Sequence, residues 1–154
     1  MKIKPITTRQ IKILLNRGAE VRALSWREPY ASMMLHGKIE IRTWNTDYRG
    51  LVLMCASQKE FRKLDVLRIS GYNTAQKIYE LIQDEKNGLA FAIGRLIDSR
   101  RMKPEDAERA HVIYRNGLWC HVYDSVHLIK PFTWLGTQGF KKLSSEEKLK
   151  INFN

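Results

Sequence analysis

The segment Leu51–Ala56 is the feature of this sequence that most constrains the fold. Its six residues are all apolar, and neighbouring side chains along a β-strand point to opposite faces of the sheet. A strand formed by this segment is therefore apolar on both faces, which is typical of strands that are covered on both sides. The segment predicts a central, buried strand with further structure packed above and below it.

The rest of the chain predicts a mixture of strands and short helices. A short N-terminal helix is predicted, because Ile11, Leu14 and Leu15 recur at helical spacing and Thr7 or Thr8 can cap its start. Regular βαβ alternation is not indicated, so an α+β fold or a small barrel is expected. The predicted strands are Glu20–Trp26, Lys38–Trp44, Leu51–Ala56, Leu89–Asp98 and Leu118–Ile129, and helices are predicted after Pro29, around Phe61–Leu67 and Ala75–Ile82, over Pro104–Ala110 and after Ser144.

Length and charge limit the class of protein. The 154 residues are enough for one compact domain and too few for two well-packed ones. Lys and Arg number 27 against 16 Asp and Glu, which gives a formal net charge of +11. A basic excess of this size favours a polyanionic partner, with RNA or DNA as the first hypothesis and an acidic membrane surface as the second.

The sequence lacks the signals of a membrane-spanning or secreted protein. Its longest apolar runs fall far short of the roughly 20 residues that span a bilayer, and no apolar stretch of a signal peptide follows Met1–Pro5. Cys55 and Cys120 both lie among apolar neighbours, which favours reduced, buried thiols over a disulfide. We therefore expect a cytoplasmic protein without a membrane partner.

The stretch Lys38–Trp44 is the first candidate for function. As a strand it places Lys38, Glu40, Arg42 and Trp44 on one face. Two interpretations are open. The row is either a solvated strand face whose charges neutralise one another, or the floor of a cleft. In a cleft, the two cations can bind phosphate, the carboxylate can bind a base edge or transfer a proton, and the indole can stack on a base.

A second candidate is the row Trp119, His121 and Tyr123, which share one face of a predicted strand. Such a row can stack on nucleic-acid bases, or it can form an ordinary half-buried sheet surface. The four histidines lack both CxxC partners and HExxH spacing, so no metal site is predicted. Neither a Walker-type loop nor a G-x-S-x-G elbow occurs, and no cofactor is expected.

Several short motifs follow one another in a specific order: Ala23–Ser32 (ALSWREPYAS), Gly37–Trp44 (GKIEIRTW) and Tyr48–Gly50 (YRG), with Pro131 and then Gly136–Phe140 (GTQGF) near the end. Together they resemble the ASCH family, a branch of the PUA-like superfamily. That family shows a Ser…Gln-Pro-Trp/Tyr-Ala segment, then G-x-K-x-x-E-x-R-x-W, then an Arg-Gly pair that opens the next strand. The resemblance covers about residues 21–143.

The resemblance implies a fold and a division of the chain. The ASCH/PUA-like domain, over residues 21–143, is expected to be a small, mostly antiparallel β-barrel flanked by helices. An N-terminal helical extension over residues 1–20 is expected to precede it, and a C-terminal tail over residues 144–154 to follow it.

The resemblance also implies a function. Proposed roles of the family centre on RNA binding, so the first hypothesis is a module whose basic cleft recognises single-stranded RNA or a nucleotide. The alternative is a hydrolase of RNA or of an acylated nucleoside, with Lys38 and Glu40 as catalytic residues, and a protein-interaction domain is the third. The candidate binding residues are Ser25, Trp26, Pro29, Tyr30, Lys38, Glu40, Arg42, Trp44, Arg49, Trp119, His121 and Gln138.

The sequence departs from the family pattern at two places. Glu28 stands where the family commonly has Gln. Gly37 and Lys38 are adjacent, so an alignment on Glu40 and Arg42 places Gly37 at the position of the family lysine. Lys38 can fill that role only through a one-residue deletion in the turn, and a binding cleft tolerates such a change more easily than catalysis does.

These patterns lead to two expectations about geometry. A carboxylate in a partly covered cleft needs a cationic or hydrogen-bonding partner, so Glu40 is expected to pair with an Arg or a Lys. The residues expected to line one concave pocket are Lys38, Glu40, Arg42 and Arg49, together with Ser25 or Trp26.

Overall fold

The computed structural model of the chain describes residues 4–136 and 138–154. Thr137 of the closing motif and residues 1–3 of the predicted N-terminal extension lie outside the described residues. The part described forms an α+β fold with six β-strands and six α-helices. The strands are β1 (Val21–Trp26), β2 (Glu40–Arg42), β3 (Gly50–Ala56), β4 (Leu89–Arg101), β5 (Trp119–Thr133) and β6 (Lys141–Lys142), and the helices are α1 (Thr8–Asn16), α2 (Tyr30–Met33), α3 (Lys63–Ser70), α4 (Tyr72–Leu81), α5 (Ala107–Ala110) and α6 (Ser145–Lys148).

The strands form one curled sheet in the order β2-β5-β4-β3-β1-β6. Four of the five neighbouring pairs are antiparallel, and β1 and β3 are parallel, with Val21 opposite Leu51 and Trp26 opposite Ala56. The sheet is therefore mixed, and it curls into a half-barrel. Among the described helices, none is long and apolar enough to cross a membrane.

Strand β3 occupies the buried position that its sequence predicts. Every residue of Leu51–Ala56 has 2% or less of its surface exposed. Its odd-numbered residues belong to an apolar cluster that we call the first core, which also contains Val21, Ile93 and Ile129. Its even-numbered residues belong to the second core, on the other face of the strand, together with Trp26 and other residues. The prediction of a central strand covered on both faces is confirmed.

Both ends of the described chain take part in the first core. Of the two predicted caps, Thr7 is the one that begins helix α1, and it forms a capping box: its side chain accepts from the backbone N–H of Gln10 while the Gln10 side chain accepts from the backbone N–H of Thr7. Ile11 of this helix is fully buried, and Ile151 near the C-terminus packs in the same cluster. The segments before residue 21 and after residue 143 therefore complete the core of the sheet.

The structure differs from the sequence prediction in several elements. Strand β2 is limited to Glu40–Arg42, because the backbone N–H of Ile39 donates to the carbonyl of Arg109 outside the sheet. Strands β4 and β5 are longer than predicted, since β5 pairs with β4 along much of its length and with β2 at its start. In α3 the buried residue is Val66, whereas Leu64 and Leu67 are exposed.

Gly94 in the middle of β4 sits where no side chain fits. A Cβ atom placed there would lie 2.8 Å from the carbonyl oxygen of Ser125 and 2.8 Å from the terminal methyl of Met54. Met54 can move, but Ser125 belongs to the paired strand β5. We expect Gly94→Ala to lower the free energy of unfolding by about 1–3 kcal/mol, the usual cost of overpacking. Chemical denaturation checks this, and unchanged stability would contradict the close strand approach described here.

Candidate functional site

A cleft of about 610 Å³ lies at the ends of β1 and β2. Ser25 and Trp26 at the end of β1 form one wall, and Glu40–Arg42 of β2 forms another. The strand alternation of β1 places Trp26 in the second core and turns Ser25 to the opposite side, but both still line the cleft. The remaining lining residues are Arg27, Trp44, Ser57, Gln138 and Gly139.

The carboxylate of Glu40 is the most densely bonded group of the site. One oxygen, Oε1, accepts from Lys38 Nζ at 3.0 Å and from the backbone N–H of Ile41 at 2.9 Å. The other, Oε2, accepts from Nε of Arg42 at 3.1 Å, and Nη2 of the same guanidinium lies 2.9 Å from it in an ion pair. The predicted pairing of Glu40 with an Arg or Lys is confirmed, and it involves one residue of each kind. Three hydrogen bonds and this ion pair leave the carboxylate with little capacity for a further hydrogen bond.

Glu40 is ionised at neutral pH. Burial by itself raises its pKa, but the ammonium of Lys38 and the guanidinium of Arg42 outweigh this effect, so the pKa of Glu40 lies below its ordinary value of 4.5. A buried carboxylate held in this way cannot serve as a general acid near neutral pH.

Arg42 is held in place and remains partly exposed. Besides its contact with Glu40, Nη2 donates to the carbonyl of Ser25 at 3.0 Å, which ties β2 to the end of β1. The guanidinium carbon lies 5.1 Å from the ring centroid of Trp26. Nη1 has no hydrogen-bond partner within residues 4–136 and 138–154, and 21% of the side chain is exposed. The arginine therefore presents N–H donors to the cleft.

Arg27 is a second arginine of the cleft, and the sequence prediction missed it. Its guanidinium carbon lies 4.0 Å from the ring centroid of Phe61, and its Nε and Nη2 donate to the carbonyls of Lys59 and Glu60. No carboxylate of the described chain pairs with it. Its position directly after β1, within the Ser-Trp-Arg-Glu-Pro motif, was the signal that could have identified it.

Lys38 faces a separate cavity rather than the cleft. This cavity of about 240 Å³ lies beside β2 and is lined by Lys38, Tyr30 and further residues of α3 and the 112–118 segment. Glu40 and Ile41 border both the cavity and the cleft. Lys38 lies outside β2, directly after Gly37, which ends the preceding 3-10 turn with a φ of 75°. The expected single pocket for Lys38, Glu40 and Arg42 is thus divided in two by Glu40.

Tyr30 packs against this second cavity. Its hydroxyl is 2.5 Å from Ser70 Oγ, and the Lys38 ammonium lies 5.5 Å from its ring centroid. Burial raises the pKa of Tyr30 to about 12, despite the hydrogen bond to Ser70, which acts in the opposite direction. The phenol is therefore neutral and serves as a wall of the cavity.

Four other predicted site residues line neither the cleft nor the cavity. Pro29 is buried at the start of α2. Arg49 donates to the carbonyls of Thr46 and Tyr48, so it does not join the pocket in which it was expected. Trp119 lies opposite Arg42 in the sheet, but its ring contacts the guanidinium of Arg101.

His121, the fourth of these residues, is fully buried and supports the site from behind. Its Nε2 donates to the carbonyl of Trp44 at 2.9 Å, and the two rings meet edge-to-face. Burial lowers the pKa of His121, so it is neutral. Tyr123, in the same row, packs against Trp26 with its hydroxyl buried. The predicted row on β5 is therefore a half-buried sheet surface with a fully buried His121, which offers no surface for base stacking.

Glu28, the departure from the family glutamine, is also fully buried. Its carboxylate accepts from the backbone N–H and the hydroxyl of Ser32, at 2.7 and 2.6 Å, and from the backbone N–H of Lys86 at 2.9 Å. Two of these donors are fixed backbone groups. Glu28 thus joins the start of α2 to the segment before β4 and is not a group of the cleft.

The cysteines and acidic residues add no further chemistry to the site. Cys55 and Cys120 are free, buried thiols, and burial raises the pKa of Cys55 to about 12 and that of Cys120 to about 11. They are therefore protonated and unreactive at neutral pH. Within the described ranges, no group of three His, Cys, Asp or Glu side chains has a geometry that could hold a metal ion.

Comparison with known proteins yields no family model that matches this sequence and no curated protein with significant similarity to it.

Because Glu40 binds both Lys38 and Arg42, removing its charge should destabilise the fold more than removing Lys38. We expect Glu40→Gln to cost about 3–5 kcal/mol of stability, because it leaves Lys38 buried without a counter-ion. Lys38→Met is expected to cost less, below about 2 kcal/mol, because Arg42 and a backbone N–H still satisfy the carboxylate. Urea denaturation of both variants checks the order, and a larger loss for Lys38→Met would contradict it.

The lowered pKa of Glu40 also predicts a pH dependence. Because its folded pKa lies below 4.5, its contribution to stability is complete above that pH and is lost as the pH falls through the folded pKa. The difference in unfolding free energy between the natural chain and Glu40→Gln should be constant from pH 6 to 8. Below about pH 4.5 it should shrink. Denaturation at a series of pH values tests this, and a difference that grows in acid would refute it.

Proposed function

We propose that this protein is a single-stranded RNA-binding module of the ASCH type, with the cleft between β1 and β2 as its binding site. The observation that carries the proposal is the state of Arg42, which is anchored by Glu40 and Ser25 and still presents N–H donors to the cleft. A guanidinium of this kind can bind a phosphate or the acceptor edge of a base, and a base can stack on its plane.

Two features of Arg42 and Arg27 support binding with high affinity. Each arginine lies over an aromatic ring and donates to backbone carbonyls, so its rotamer is set before a ligand arrives. Binding then costs less side-chain entropy than it does for a free arginine. The net charge of +11 adds attraction that is independent of RNA sequence.

A single strand suits the cleft better than a duplex. Sequence-specific contacts to RNA are made mostly to unpaired bases, which can leave the helix and enter a recess. The amide of Gln138 and the half-buried indole of Trp44 both line the recess beside Arg42. An amide can read a base edge, and an indole can contact a base face.

Binding is favoured over hydrolysis by the state of the two residues that a catalytic mechanism would use. Lys38 is buried, with its ammonium bound to the carboxylate of Glu40 and the carbonyl of Ile39, so it is not available as an amine nucleophile. Glu40 stays ionised, accepts three hydrogen bonds and forms ion pairs with Lys38 and Arg42. Neither group is poised to donate or accept a proton during turnover.

The half-barrel and its helices agree with a PUA-like domain, and the segments of β1 and β2 that resemble ASCH motifs line the cleft. A cytoplasmic location fits this proposal, because RNA is present there and both thiols are free.

The proposal predicts that Arg42 contributes more to binding than its charge alone. Arg42→Gln should weaken binding of a fluorescently labelled single-stranded RNA pool by about 10-fold or more, since a charge-assisted base or phosphate contact is worth about 1–3 kcal/mol. Arg42→Lys keeps the charge and loses the planar guanidinium, so its affinity should lie between those of the natural chain and Arg42→Gln. Fluorescence anisotropy over a range of salt concentrations measures both.

Lys150→Gln is the matched control for charge. Lys150 is exposed and does not line the cleft. It adjoins Ile151 of the first core, whereas Trp26 of the cleft belongs to the second core on the other face of β3. This variant should change affinity less than about 3-fold and reduce the salt slope by at most about one. Equal losses for Arg42→Gln and Lys150→Gln, with both variants folded by circular dichroism, would mean diffuse charge attraction and would contradict the cleft as the site.

A further inference from the structure

The cavity beside β2 is more apolar than the cleft, and the proposed RNA site does not include it. Its volume of about 240 Å³ is bordered mainly by apolar side chains, among them Ile69, Ile113 and Leu118. The cavity is open to solvent, because Ile113 and Arg115, which line it, are exposed. A space of about 150 Å³ is enough for benzene, so this cavity has room for a six-membered ring with a small substituent.

Two of the polar side chains that border the cavity, Lys38 and Arg115, are hydrogen-bond donors. Lys38, with only 1% of its side chain exposed, uses two of its three N–H bonds, toward Glu40 Oε1 and the carbonyl of Ile39. Its third N–H has no acceptor within the described chain. Arg115 borders the same cavity, donates only to the carbonyl of Arg68, and has no described acidic partner.

The charges around the cavity favour an anion. Glu40 is the acidic residue among those that line it, and both oxygens of Glu40 are already occupied by donors. Among the residues that line the cavity, Lys38 and Arg115 carry two positive charges against the one negative charge of Glu40. An anionic group placed against Lys38 and Arg115 therefore reduces a local positive excess, and desolvation strengthens the interaction.

We propose that this cavity binds a small apolar monocarboxylate, whose ring or branched hydrocarbon lies against Ile69, Ile113 and Leu118 and whose carboxylate accepts from Lys38 Nζ and Arg115. A neutral molecule of the same shape offers the two cations no charge-assisted hydrogen bond, so the site selects the carboxylate. This second site is separate from the RNA cleft and does not depend on RNA binding.

Benzoate is the probe, and isoleucine methyl NMR of the full chain is the measurement. Titration should give saturable shifts of the δ1-methyl signals of Ile69 and Ile113, which line the cavity and not the cleft, with a Kd of about 1 mM or tighter. The methyl of Ile13, exposed on α1, should not shift. Benzyl alcohol, the neutral analogue, should bind at least 10-fold more weakly.

Two variants and matched controls locate the site. Ile69→Trp fills the cavity and should abolish the benzoate shifts, whereas Leu64→Trp, at an exposed position of the same helix outside the cavity, should leave them unchanged. Arg115→Gln should weaken benzoate by about 3- to 10-fold and leave benzyl alcohol unaffected. Arg115 is exposed, so this variant keeps the test valid if Ile69→Trp does not fold.

Three results would overturn the proposal. The first is the absence of saturable shifts up to about 20 mM benzoate, a concentration well above the expected Kd. The second is equal affinity for benzoate and benzyl alcohol. The third is a shift of the Ile13 methyl as large as the shifts of the cavity methyls. RNA titrations of the same samples report on the cleft alone, so failure of one proposal is distinguishable from failure of the other.

Discussion

The ion pair of Glu40 with Lys38 and Arg42 is the interaction on which the site depends. Removing charged groups from water costs several kcal/mol per ion, and only good geometry with further hydrogen bonds compensates for it. Here the carboxylate accepts three hydrogen bonds and forms ion pairs with both cations, and the cations reach further acceptors at Ile39 and Ser25. The result connects the turn after α2, strand β2 and the end of β1.

The same carboxylate separates two spaces of different chemistry. On one side, the cleft contains Arg42 and Arg27, each with N–H groups that the described chain leaves without an acceptor. On the other side, Lys38 lies beside apolar side chains and donates to Glu40. A single buried carboxylate thus holds an arginine at the cleft and a lysine at the cavity.

Much of the secondary structure could be predicted from short-range patterns. The two-sided apolar segment before Ser57 became the covered strand, the Thr7 cap began α1, Gly37 ended the turn after α2, and Ser144 capped the last helix. These predictions succeeded because capping, positive φ and strand alternation depend on residues within a few positions of one another.

Predictions that depended on partners far along the chain succeeded less often. The Lys38–Trp44 stretch alternates like a strand, yet only Glu40–Arg42 finds hydrogen-bonding partners in β5, so Lys38 leaves the strand face. The row that begins at Trp119 has the composition of a stacking surface, but β2 and Trp44 cover His121. Arg49 belongs to the Tyr-Arg-Gly motif and was expected in the pocket, but it donates to the nearby carbonyls of Thr46 and Tyr48.

The sequence by itself determined an α+β domain around one buried strand, a strongly basic surface, and a Glu40 that needs a cationic partner, because each of these follows from residue type and local period. Only the tertiary structure decided which cation faces which space, that Arg27 joins the cleft, and that Tyr30 and Lys38 belong to a cavity instead. The physical reason is that side-chain direction depends on where a strand ends and what packs against it. Those contacts join residues such as Glu40 and His121 that lie far apart in sequence.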